Sequence, residues 1–218
     1  MKLTSCSTCS RGADAQRGFS LLEVLVSIVV LSFGVLGIVG LQAASMQANS
    51  DARYQSAAVR LGLELSDMMR DNMTVAQTVS GTPAGNPYVV QNYTDPGTLS
   101  TPTSDCSSTQ CSASALAQFQ IYDWLQRVSN ELPGARVQVC FDSTPYDANG
   151  LPRWYCPNSP AVTNPPSMIV IKIGWTRSST NRAATGASSV LRPTTSDDSV
   201  PPAVVLPLNP GVDPTTVR

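Results

Sequence analysis

The sequence predicts an α+β fold in which a long amino-terminal helix packs against a small antiparallel β-sheet. The helix is indicated by an uncharged apolar run, Val24 to Leu41, that continues into an amphipathic pattern with no proline before Pro83. The sheet is indicated by short segments that alternate apolar and polar residues, at 136–141 and 168–176. We therefore expect the helix to come first and the strands to lie in the second half of the chain.

The apolar run is long enough to cross a membrane. Val24 to Leu41 gives eighteen uncharged residues, and adding Phe19 to Glu23 gives twenty-three. At about 1.5 Å per residue, this length spans a hydrocarbon core of about 30 Å with some tilt. Lys2, Arg11 and Arg17 precede the run, and positive charge beside a membrane segment favours the cytoplasmic side. The rest of the chain is then expected outside the inner membrane of a bacterium.

One carboxylate, that of Glu23, lies inside the apolar stretch. An ionised carboxylate in hydrocarbon is costly unless it is paired with an opposite charge. No cation lies close to it within the apolar segment. We therefore expect another group to neutralise Glu23.

The segment RGFSLLE at residues 17–23, with the apolar run that follows, resembles the class III signal of type IV prepilins and type II secretion pseudopilins. The resemblance implies that a prepilin peptidase cleaves between Gly18 and Phe19, and that the new amino group of Phe19 is N-methylated. It also implies that Glu23 neutralises the charged amino group of Phe19 on a neighbouring subunit during filament assembly. An ordinary signal anchor, or a secretory signal cleaved near Ala44, is the competing interpretation.

This interpretation divides the chain into three parts. Residues 1–18 are a prepilin leader peptide. Residues 19–75 are a stem helix whose first part, 19–41, spans the membrane. Residues 76–218 are a periplasmic globular head with disulfides and a Pro/Thr-rich tail after Arg177, for which the sequence suggests no role.

The outer part of the stem carries an apolar stripe at helical spacing, which we expect to pack on the head. The stripe consists of Tyr54, Ala58, Leu61, Leu65 and Met68. On another face, Arg60 and Glu64 have the i,i+4 spacing of an ion pair within one helix.

Further elements are predicted in the head by periodicity and by turn residues. A short strand is predicted at 88–93, and a helix at 113–130 that Pro133-Gly134 terminates. The strands at 136–141 and 168–176 are separated by a turn-rich hairpin connection. The apolar patch at 203–206 lies between prolines, which restricts it to an edge strand at best.

The sequence contains six cysteines, and Cys6 and Cys9 leave with the leader if cleavage follows residue 18. Four cysteines remain in an oxidising compartment, where they suit two disulfides in one of three connectivities. We favour Cys106–Cys111 and Cys140–Cys156, because each pair flanks a turn-rich loop. The other connectivities, and a single metal site built from all four, remain open.

Composition argues against an enzyme and against nucleic-acid binding. The protein has no histidine, two lysines and a formal net charge of -1, so His-based catalysis and phosphate binding lack their usual residues. No cofactor, metal or small-molecule substrate is expected. Asp142, Asp147 and Asn149 beside Gly150 offer oxygen ligands for calcium, but a turn with solvated acids is the favoured interpretation.

The family resemblance implies a structural protein of the type IV pilus. The expected role is that of a minor pilin, which joins other minor pilins in a complex that primes assembly and so supports pilus biogenesis, adhesion and twitching motility. Its expected partners are other minor pilins, the major pilin, the prepilin peptidase and the inner membrane, and its final place is the pilus, near the tip. A minor pseudopilin of a type II secretion system is the nearer alternative, and an anchored periplasmic binding protein the farther one.

Overall fold

The computed structural model describes residues 19–78, 84–95, 97, 99–156, 168–179, 181, 183–194 and 199–209. The leader, with Gly18, Cys6 and Cys9, therefore lies outside the described residues. The protein divides into two compact units, residues 1–48 and residues 49–218. In the first unit, the described residues are the beginning of the long helix.

The predicted long helix is present as α1, Leu21–Asp71. Serine hydroxyls in its apolar part are satisfied locally: Ser27 Oγ donates to the carbonyl oxygen of Glu23, and Ser32 Oγ to that of Ile28, both at 2.7 Å. The expected continuation to residue 75 is interrupted at Asn72, beyond which a short helix α2, Met73–Ala76, follows. Asn72 leaves the helical conformation, and its Nδ2 donates to the Ala113 carbonyl at 2.7 Å.

The remaining elements confirm the α+β fold. They are β1 (Val90–Thr94), α3 (Ala113–Glu131), β2 (Arg136–Phe141), β3 (Ile169–Gly174), β4 (Arg177–Ser178), a 3₁₀ turn (Gly186–Ser189), β5 (Val190–Leu191) and β6 (Val204–Leu208). Within the described residues, one antiparallel sheet has the strand order β1-β2-β3-β6, and β4 pairs with β5 separately. The apolar patch near residue 204 thus forms an edge strand, as expected.

The helix α3 is closed at both ends by features visible in the sequence. Ser112 Oγ accepts a hydrogen bond from the Ala115 amide at 3.2 Å, which caps the start. After the helix, Gly134 adopts φ +56°, and a Cβ at this position would lie 2.4 Å from Thr176 Oγ1. A glycine is therefore required where the backbone turns from α3 into β2.

One face of the sheet carries the main core, formed with the outer part of α1 and with α3. Trp124 is fully buried there, and its Nε1 donates to the Leu61 carbonyl at 2.8 Å. The predicted packing of the α1 stripe is confirmed: Ala58, Leu61 and Leu65 are fully buried, and Tyr54 and Met68 are partly buried against the same core. Met69, which the stripe did not include, is buried with them.

At one position, α1 approaches the edge strand very closely. A Cβ added to Gly62 would lie 2.2 Å from Leu206 Cδ1 and 4.0 Å from Ile173 Cδ1. The absence of a side chain at Gly62 therefore lets α1 lie against β6.

The predicted ion pair between Arg60 and Glu64 is wrong. Arg60 pairs with Glu131 at the end of α3, and Glu64 pairs with Arg127. Arg127 Nε also lies 3.1 Å from Asp123 Oδ2. The two residues of α1 face α3, so their charges are neutralised across the helix–helix contact.

Candidate functional site

The first part of α1 carries a large apolar surface that the described residues do not cover. Phe19, Leu21 and Phe33 are 83%, 90% and 71% exposed. In the most apolar eighteen-residue stretch of α1, no residue is buried. Among the described helices, α1 alone is long and apolar enough to cross a membrane. Apolar surface of this extent, left open by the described residues, is typical of a helix that is covered by lipid or by other helices.

Ser20 positions the start of this helix. The Leu22 amide donates to Ser20 Oγ at 3.3 Å, and the Val24 amide donates to the Ser20 carbonyl at 3.2 Å. Serine at such a position is a favoured helix cap. Phe19 therefore lies immediately outside the helix, with Glu23 in the first turn.

The Glu23 carboxylate is exposed, and no described residue forms an ion pair with it. A carboxylate in the first turn is stabilised by the helix dipole, which supplies only part of a positive charge. In an apolar surrounding, Glu23 thus still needs a cation. Among the residues singled out in the sequence, Phe19 and Glu23 lie at the same helix end, while Gly18 is outside the described residues.

Two disulfides are present in the head. One joins Cys106 to Cys111 with 5.6 Å between the Cα atoms, and the other joins Cys140 to Cys156 with 6.4 Å. Cys140, Asp142 and Cys156 lie close together, but the two sulfurs are bonded to each other in the structure. This cluster is therefore a cross-link beside a carboxylate.

The loop closed by Cys106–Cys111 begins with a charged turn. The Ser107 hydroxyl and amide donate to Asp105 Oδ1 at 2.6 and 2.9 Å. These hydrogen bonds, the hydroxyl first, lower the pKa of the Asp105 carboxyl. These hydrogen bonds define the turn at the start of the exposed serine-rich loop.

The expectation of a solvated Asp142 is wrong. Asp142 and Lys172 are both fully buried, with Lys172 Nζ 2.6 Å from Asp142 Oδ2. Lys172 Nζ also donates to the carbonyls of Trp154 at 3.4 Å and Tyr155 at 2.8 Å. Asp142 is thus committed to an ion pair that fastens the loop between β2 and β3 to the second face of the sheet.

The same face holds a second buried cation, Arg136. Its guanidinium lies 4.1 Å from the centroid of the Trp154 ring, and its Nη2 donates to Asn92 Oδ1 at 3.1 Å. Trp154 Nε1 donates to the Val200 carbonyl at 2.8 Å. This arrangement was not anticipated, although a lysine and an arginine in otherwise apolar strands were a visible signal of it.

The other calcium candidates form a turn. The amides of Asn149 and Leu151 both donate to Asp147 Oδ1 at 2.8 Å, and the Gly150 amide donates to the Asp147 carbonyl at 3.0 Å. Asp147 thus satisfies backbone donors of its own loop. This is the turn that the Asn-Gly sequence favours.

Comparison with known protein families finds a match to the prokaryotic N-terminal methylation motif at residues 14–39. No curated protein and no solved structure matches the sequence. The matched residues include Gly18, Phe19 and Glu23, together with most of the exposed apolar helix. The motif supports a protein of the type IV pilin or pseudopilin type, for which a structural role, a membrane anchor and assembly with other pilins are typical.

Proposed function

We propose that this protein is a minor pilin of the type IV pilus, of the subfamily called PilV or type IV pilus modification protein. The observation that carries the proposal is the exposed apolar first part of α1, which has one acid, Glu23, in its first turn and lies largely within the methylation motif. Segments of the head also resemble that subfamily. They are YDWLQRVSNELPGA at 122–135, RVQVCFDSTP at 136–145 and IVIKIGWT at 169–176, and they contribute α3, β2 and β3.

In the proposed mechanism, the protein acts by packing and carries out no reaction. The apolar part of α1 anchors the subunit in the inner membrane and later associates with the helices of other subunits. Glu23 pairs with the amino group of a neighbouring Phe19, because two charges that are costly to bury singly are tolerated as a pair. The periplasmic head selects the other minor pilins with which the subunit primes pilus assembly, and the complex ends near the pilus tip.

The first test is mass spectrometry of the amino terminus, on protein purified from cells with an active prepilin peptidase. We expect the mature protein to begin at an N-methylated Phe19. A Gly18→Val variant, which alters the residue before the cleaved bond, is expected to retain all eighteen leader residues. Wild-type protein that begins at Met1 or near Ala44 would overturn the proposal.

The second test separates the pilus from the secretion machine. A strain lacking the protein is compared with the same strain complemented by the wild type, and surface pili, twitching motility and export of type II substrates are measured. Loss of pili and twitching with normal export supports a minor pilin. Loss of export with normal pili contradicts this role and indicates a minor pseudopilin, whereas a strain unchanged in both contradicts both roles.

A further inference from the structure

We propose that Asn149-Gly150, in the loop between β2 and β3, is a site of spontaneous deamidation and isoaspartate formation. Both residues are exposed. Gly150 adopts φ +79°, and a Cβ added there would meet nothing within 4 Å. Because Gly150 has no side chain, its own atoms do not block an approach of its amide nitrogen to the Asn149 side chain. The surrounding space is also open.

The reaction requires only groups of the protein and water. The amide nitrogen of Gly150 attacks Cγ of Asn149, so that a new C–N bond closes a five-membered succinimide. The bond between Cγ and Nδ2 of Asn149 breaks, and ammonia leaves with the proton that the Gly150 nitrogen loses. Water then opens the ring at one of its two carbonyls, which leaves aspartate or isoaspartate at position 149.

Asp147 is the residue that restrains this reaction. Its carboxylate accepts the amides of Asn149 and Leu151, and its carbonyl accepts the amide of Gly150, at 2.8, 2.8 and 3.0 Å. The nucleophilic nitrogen is thus engaged as a hydrogen-bond donor, and the turn must open before it can approach Cγ. The carboxylate of Asp147 keeps the turn closed through the amides on either side of Gly150, so its removal should let the turn open more often and increase the rate.

The base of the loop is held independently of its tip. Arg153 Nε donates to the Thr144 carbonyl at 2.9 Å, and its Nη2 donates to Thr144 Oγ1 at 2.6 Å. The Cys140–Cys156 disulfide closes the same loop. Isoaspartate adds one atom to the backbone and places a new carboxylate beside Asp147. We therefore expect the conformation of the loop tip around residue 149 to change, while the contacts of Arg153 and of the disulfide at the base of the loop remain.

The test uses the full-length protein in detergent micelles, incubated at mildly alkaline pH and sampled over weeks by peptide mapping. We expect the peptide containing residue 149 to gain about one mass unit and to yield isoaspartate, severalfold faster in Asp147→Ala than in the wild type. Asn149→Gln, whose longer side chain would have to close a larger ring, is the control that should stay unchanged. The proposal is overturned if position 149 stays intact in wild type and Asp147→Ala while a synthetic peptide of residues 142–156 converts under the same conditions. Equal rates in wild type and Asp147→Ala would overturn the restraining role of Asp147.

Discussion

The ammonium group of Lys172 lies 2.6 Å from the carboxylate of Asp142, and both residues are fully buried. The pair joins the middle of β3 to the residue that follows β2, and Lys172 further holds the carbonyls of Trp154 and Tyr155. The polar loop between the two strands is in this way attached to the sheet at its first residue, Asp142, and about midway along it, at Trp154 and Tyr155.

Removal of one partner of this pair is expected to be strongly destabilising. Lys172→Met leaves the Asp142 carboxylate buried without its cation, and the cost of such a change is about 3–5 kcal/mol. Urea unfolding followed by tryptophan fluorescence measures the loss. The double variant Lys172→Met with Asp142→Asn removes the unpaired buried carboxylate, and its amide oxygen still accepts the Thr144 amide. It should therefore be more stable than Lys172→Met alone. Additive losses in the double variant would contradict a direct interaction.

Alkaline pH is expected to destabilise the head through Tyr88. Burial is the largest cause that raises the pKa of the Tyr88 phenol above its usual 10.0. A hydrogen bond with Asn72 lowers this pKa, and the negative charge of Asp71 raises it further. Because the unfolded state then loses this proton at a lower pH than the folded state, stability is full below pH 10 and falls as the pH rises toward the folded pKa. Unfolding measured across this range should show a smaller decrease in Tyr88→Phe than in the wild type.

The Tyr88→Phe variant also has an expected cost at neutral pH. The Tyr88 hydroxyl lies 2.6 Å from Gln120 Oε1 and 3.2 Å from the Met68 carbonyl. The Met68 carbonyl keeps the Asn72 amide as a donor, so the variant mainly removes the hydrogen bond to Gln120 Oε1. Loss of a partner at a buried polar group typically costs about 1–3 kcal/mol. A variant with wild-type stability at neutral pH and an unchanged alkaline slope would contradict the role of Tyr88.

The ion pairs between α1 and α3 are expected to contribute little. The pKa of Arg127 is raised, first by its hydrogen bond with Glu64, but its side chain is 34% exposed, and solvent screens such a pair. Arg127→Met should therefore cost about 1 kcal/mol or less, and the difference from wild type should shrink in high salt. Arg53→Met is the matched control, because among the described residues Arg53 has no ion pair. A loss that does not respond to salt would indicate that packing of the arginine stem, rather than charge, is responsible.

Gly174 is expected to tolerate no side chain. A Cβ there would lie 2.9 Å from Trp154 Cζ2 and 3.4 Å from Pro193 Cβ, so Gly174→Ala must displace a rigid indole ring. Overpacking of this kind typically costs about 1–3 kcal/mol, and the emission of Trp154 should shift as its contact with Arg136 is lost. Gly37→Ala, at an open position of α1, is the control that should show neither effect.

The sequence predicted the fold because local signals and tertiary structure agree in its elements. A helix without proline, a serine before Ala113, the Pro133-Gly134 turn and the alternation in β2 each have a local physical cause. The start of α3 and both ends of β2 fall on the predicted residues for this reason.

The polar second face of the sheet was not predictable in the same way. Alternation around Lys172 suggests a side chain that points to solvent, but the loop carrying Trp154 covers this face, and all six residues of β3 are buried. The partners of Arg60 and Glu64 were also missed, because a pattern along one helix registers only neighbours on that helix. In both cases the deciding contact comes from a residue distant in the sequence.

The charge of Glu23, rather than its size, is expected to control entry into filaments. Glu23→Val and Glu23→Gln should both insert in the inner membrane, since each makes the apolar stretch easier to bury, yet both should be depleted from sheared pili because the Phe19 amine loses its counter-ion. Glu23→Asp keeps the charge on a shorter side chain and should be incorporated better than Glu23→Gln. Asp51→Asn is the control, since this acid lies in α1 beyond the apolar run and is exposed, and its removal should leave incorporation unchanged. Immunoblots of membrane and pilus fractions measure all four variants, and normal incorporation of Glu23→Val would show that the acid is not needed for assembly.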